Sequence, residues 1–180
     1  MVVYNRLCSR DRSRVRVMKS LQFVSGTAAG RVRYVAFAWL VALVPSLAVF
    51  ALRVALGGVS PTLPPLADLA GFAFYSIVVA PLVETALLIP FALALLRLPF
   101  ASDWPRIVVL AALAALAHGF GGSAWQVALA FWPFVVYAAA LYAWRTRSLG
   151  DAYLVTAAIH TLFNGAIFAA GVVAHVLAGG

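Results

Sequence analysis

Residues 74–98 read FYSIVVAPLVETALLIPFALALLRL. The stretch holds one acid, Glu84, and one base, Arg97, which lies at its end. A helix that crosses a hydrocarbon core needs about 20 consecutive, mostly apolar residues. This stretch meets that length, so it reads as a transmembrane helix with one ionisable group inside it. Pro81 and Pro90 stand on either side of Glu84. Each removes a backbone hydrogen bond and frees a carbonyl one turn earlier. The helix around Glu84 is therefore expected to be bent and locally wet.

The rest of the chain fits the same solvent. Of its 180 residues, 65% are hydrophobic and 10% charged. A soluble domain carries about 25% charged residues to cover its surface. Upstream of the quoted stretch, residues 34–56 form a first apolar span, followed by Gly57-Gly58 and a Pro-rich loop. Residues 66–73, with Asp68, read as an interfacial lead-in to the second span. Downstream, Ser102-Asp103-Trp104-Pro105 is a helix start signal, a capping residue followed by Pro in the first turn. That third span ends near the glycine cluster Gly119, Gly121 and Gly122. A fourth runs over 124–144, and a fifth from about Gly150 to Leu177. The expected fold is an all-α polytopic bundle of about five spans with a kinked second span.

Charge supports this layout. Eight of the thirteen Lys and Arg residues precede position 34, which makes residues 1–33 a basic arm in front of the membrane domain, 34–180. The net charge of +8 thus marks a cytoplasmic, lipid-facing segment, with no nucleic-acid partner implied. With the arm inside, Arg97, Arg106, Arg145 and Arg147 fall on the same side, and only Arg53 falls outside. The N-terminus is expected in the cytoplasm, and a bacterial inner membrane is the expected location. Cys8 is the single cysteine, which excludes a disulfide framework and a Cys-based metal site.

Glu84, His118, His160 and Asn164 interrupt the apolar runs. Ionisable groups at membrane depth cost at least ~2.5–3.5 kcal/mol each and imply partners or function. Counted from the inner helix ends at ~1.5 Å per residue, Glu84, His118 and Asn164 lie ~21 Å up and His160 ~15 Å up. Three spans bring polar groups to one level, past the middle toward the outer face. His160 and Asn164 are spaced i, i+4 and share a helix face, which Thr156 continues. His175 lies near the outer end.

These residues resemble the motifs of the CAAX protease and bacteriocin-processing (CPBP) family of intramembrane glutamic endopeptidases. Ala80-Pro81-Leu82-Val83-Glu84-Thr85 through Ile89 is similar to its first motif, Pro-x-x-Glu-Glu-x-x-x-Arg. His118 with Gly119 resembles the second, and His160-Thr161-Leu162-Phe163-Asn164 the third, His-x-x-x-Asn. The second Glu of the first motif is Thr85 here, its Arg is Ile89, and the aromatic four residues before the second-motif His is Ala114. The shortened pattern also resembles the myxosortase branch, which is linked to C-terminal sorting tails. The resemblance implies that Glu84 and His118 activate water and that His160 and Asn164 stabilise the oxyanion.

The residue types suit that chemistry on their own terms. Peptide hydrolysis needs a base, an oriented water and an oxyanion donor, and imidazole and carboxamide can both donate. No cofactor is expected. Zinc is the alternative, because Glu with two His is also a zinc-ligand set. The expected partners are the bilayer and a membrane-anchored protein or peptide substrate. Two rivals are a catalytically silent partner-binding protein of the same fold and a small proton-coupled transporter, which the short chain and lack of a repeat disfavour.

Overall fold

A computed structural model describes residues 30–56, 64–120 and 124–177. The expected basic arm lies outside these residues apart from 30–33, as do most of the Pro-rich loop and Gly121 and Gly122. All regular structure among the described residues is helical: α1 (Arg31–Ala55), α2 (Leu66–Phe74), a π turn (Tyr75–Val79), α3 (Ala80–Leu96), α4 (Asp103–Gly119), α5 (Ala124–Trp144) and α6 (Leu149–Leu177). Among the described residues, four stretches are long and apolar enough to cross a bilayer: Arg31–Arg53, Asp68–Leu96, Ala124–Trp144 and Leu149–Val176. The protein is an integral membrane helix bundle.

One boundary differs from the sequence expectation, and one helix with the expected ends is short. The lead-in at 66–73 is not separate from the second span, because α2, the π turn and α3 follow one another without a break. The expected third span, α4, has 17 residues. It is roughly 25 Å long, short of a ~30 Å hydrocarbon core. Its end is set at Phe120, whose backbone turns to the extended region (φ −64°, ψ 114°).

The core lies along α5. Its residues from Pro133 to Trp144 are buried without interruption. A helix that is apolar all round belongs inside a bundle, and the small run Ala138-Ala139-Ala140 lets neighbours approach closely. Helices α4, α6, α1 and α3 pack around it. From α1 come Tyr34, Ala38, Ala42 and Ser46, a buried stripe at four-residue spacing. Tyr34 meets Trp144 edge to face, with centroids 5.4 Å apart.

Proline in α1 frees a carbonyl that a neighbouring helix captures. Pro45 has no N–H to offer the carbonyl of Val41, four residues back. Trp132 Nε1–H of α5 donates to that oxygen at 2.8 Å. In lipid, backbone groups released by Pro need such partners.

Charged groups join the helix ends on one side of the bundle. Arg145 at the end of α5 donates to both carboxylate oxygens of Asp103 at 3.2–3.3 Å. Arg31 at the start of α1 pairs with Asp151 in the first turn of α6. Ser148 Oγ accepts the Asp151 N–H at 2.9 Å and caps α6. These bonds join the end of α5 to the start of α4 and the start of α1 to the start of α6.

The α4–α5 junction depends on a glycine. A Cβ on Gly119 would collide with Val127 Cγ2 of α5, and Val is stiff at χ1. Gly119→Ala is expected to cost about 1–3 kcal/mol by overpacking and to displace the adjacent His118. Thermal denaturation in detergent measures the loss, and Val127→Ala added to it is expected to restore most of the stability.

Candidate active site

The site forms where α3, α4, α5 and α6 meet. On α3, Pro81, Thr85, Leu88, Ala92 and Leu95 make the buried stripe. Glu84, Leu87 and Phe91 turn toward α4, where Leu113, Ala114, Ala117 and His118 complete an apolar cavity of about 320 Å³ over Phe134. Leu87, Phe91 and Leu113 are largely exposed on the outside of the bundle. The cavity therefore opens sideways, where lipid lies. Its polar groups are Glu84 and His118 alone.

The carboxylate meets two imidazoles. Glu84 Oε2 lies 3.4 Å from His118 Nε2 and 3.5 Å from His160 Nε2. The three side chains form a graded series, His118 41% exposed, Glu84 31% and His160 4%. His118 thus faces the cavity, and His160 backs the carboxylate from inside. The ring of His160 stacks on Tyr137 (4.4 Å, 28°) and meets Phe134 edge-on (5.8 Å).

Proton positions follow from the partners. His118 Nδ1 is 3.1 Å from the carbonyl oxygen of Ala114. A carbonyl can only accept, so Nδ1 carries the proton and the neutral ring turns a lone pair on Nε2 toward Glu84. Ionised Glu84 is an acceptor too. Two acceptors at this distance need either a proton between them or a water that donates to both. Glu84 Oε2 is itself buried without a hydrogen-bond partner, so a water would reach this pair through the exposed part of the carboxylate and of His118, giving its hydrogens to these bases and keeping its lone pairs toward the open cavity. His160 differs. Its Nδ1 is buried with no hydrogen-bond partner. A bare buried acceptor is tolerated more readily than a bare N–H, so the proton belongs on Nε2, directed at Glu84.

Asn164 is not brought to the carboxylate. It lies one turn beyond His160, as the spacing predicts, but its Nδ2 donates to the backbone oxygen of Ser76 at 2.9 Å. Just before Pro81 the helix leaves the α register in a π turn, in which Ala80 N–H bonds to Tyr75 O, five residues back. Thr156 is fully buried, and Asp68 is exposed in the first turn of α2. Thr85 is fully buried and Ile89 packs against the core, so neither lines the cavity.

Sequence reasoning missed Tyr137 and Ser76. An aromatic hydroxyl within an apolar span was a signal for Tyr137, whose Oη is buried without a partner. Ser76 had only its place five residues before a proline. Among the described residues, no group of three His, Cys, Asp or Glu side chains is arranged to hold a metal ion.

Comparison with protein-family models, with curated proteins and with solved structures returns no match. The site is therefore characterised by its own geometry.

Proposed function

We propose that the protein is an intramembrane endopeptidase of the glutamic type. It would hydrolyse a peptide bond in or beside a membrane-embedded or C-terminal sorting segment of an anchored substrate. The observation that carries this reading is the meeting of Glu84 Oε2 with Nε2 of both His118 and His160, at the polar end of a cavity that faces lipid. An apolar substrate segment can enter such a cavity without crossing water.

The chemistry follows from the proton positions. A water donating to Glu84 and His118 loses one proton to this pair as its oxygen adds to the substrate carbonyl carbon. General-base help of this kind is worth about 10²–10⁴-fold. The carbonyl oxygen becomes an alkoxide. His118 lines the cavity, whereas His160 and Asn164 do not, so the protonated Nε2 of His118 is assigned as the alkoxide donor. The proton then passes to the departing amine, the C–N bond breaks, and an acid and an amine leave. His160 holds Glu84 in place throughout.

The charge layout supports a cytoplasmic N-terminus, and a bacterial inner membrane is the proposed location. His118→Ala in the native host tests the function. Uncleaved precursors are expected to accumulate in the membrane and secreted proteome while the variant stays in the membrane at normal level. Unchanged processing would favour the rival reading, a silent partner-binding protein of the same fold.

A further inference from the structure

We infer that Asn164 is a positioning residue, which holds the carbonyl of Ser76 and so fixes the π turn that aims Glu84 at the two histidines. In an α-helix the oxygen of Ser76 would accept from Ala80 N–H, but that group bonds to Tyr75. In the π register it would accept from residue 81, which is Pro81 and has no N–H. The oxygen is therefore orphaned by its own helix, at a depth where water does not replace the bond. Asn164 Nδ2 supplies it, at 2.9 Å.

The bond has a consequence for Glu84. A π turn inserts one extra residue into the helix, which rotates everything after it by about 100° relative to an unbroken α-helix. Glu84 lies after the turn. Its direction toward His118 and His160 exists only in the π register. Asn164 and His160 are one turn apart on the same face of α6, so that face holds the turn at one point and the carboxylate at the other. One N–H of the Asn164 carboxamide is committed to Ser76, and Asn164 is not among the residues that line the cavity.

The inference rests on the hydrolase reading only for its cleavage readout. The test compares Asn164→Ala with Asn164→Ala/Pro81→Ala. The second change restores an N–H five residues beyond Ser76, in place for the orphaned oxygen. In Asn164→Ala, kcat is expected to fall about 10²-fold, as a misplaced catalytic group predicts, with KM little changed. The solid-state NMR dipolar coupling between the Glu84 carboxyl carbon and the His160 ring nitrogen should weaken with it. Adding Pro81→Ala should recover both. An unchanged coupling in Asn164→Ala overturns the inference. So does a double variant that regains the coupling and remains inactive, because Asn164 would then act on the reacting atoms. The coupling needs no substrate. A wild-type protein that shows it and cleaves nothing defeats the hydrolase reading and leaves this one standing.

Discussion

Glu84→Gln is expected to lower kcat by about 10²–10⁴-fold, the usual worth of a positioned general base, while the fold survives. The test uses purified protein and a precursor recovered from cells carrying His118→Ala. The substitution preserves size and shape. Its amide nitrogen is not basic, so water between positions 84 and 118 loses one of its two bases. Stability should not fall, since an ionisable group at membrane depth itself costs at least ~2.5–3.5 kcal/mol. The thermal midpoint in detergent is expected to be equal or higher. Loss of rate with retained stability is the signature of a chemical role. Cleavage at the wild-type rate contradicts it.

Arg106→Ala is expected to have the largest effect on stability. Its guanidinium donates to the carbonyl oxygens of Leu95 (3.1 Å), Leu98 (3.0 Å), Phe100 (3.1 Å) and Ser102 (3.0 Å), and to Asp103 Oδ1 (3.2 Å). Leu95 belongs to the last turn of α3, where carbonyls lack partners within the helix, and Leu98 lies just beyond it. One planar side chain thus ties the end of α3 to the start of α4. Hydrogen bonds to a charged group are worth about 1.5–3 kcal/mol each, and with several of these solvent-exposed their joint loss is expected to cost about 3–5 kcal/mol. For a chain of this size that is a fall of about 6–20 °C in thermal midpoint, at roughly 2–4 °C per kcal/mol. Arg106→Lys should recover little, because an ammonium cannot span this set of acceptors. A midpoint close to wild type for Arg106→Ala would refute the assignment.

Much of this was legible in the sequence because lipid imposes simple rules. Hydropathy and length found the apolar helices, and a rise of ~1.5 Å per residue brought Glu84, His118 and Asn164 to one level, with His160 one turn below, before any contact was known. The ends of α4 were legible too, at Ser102-Asp103 and Gly119. Two things were not legible. The π turn was invisible because propensity describes residues, whereas this turn is a choice of hydrogen-bond register made beside Pro81. The partner of Asn164 was hidden for the same reason, since it is a backbone oxygen that the turn leaves free. Arg106 and Arg145 entered the sequence reading only as topology charges, and their carbonyl and Asp103 partners emerge from packing.

The central claim is that one carboxylate is shared by two imidazoles. Glu84 is the only glutamate in the chain, and there are three histidines. Protein in lipid bilayers, labelled with ¹³C at the glutamate side-chain carboxyl and ¹⁵N in the histidine rings, therefore reports on this contact without ambiguity. Two strong carbon–nitrogen dipolar couplings are expected, one lost in His118→Ala and the other in His160→Ala, with none to His175. A Glu84 carboxyl that couples to neither His118 nor His160 would contradict it.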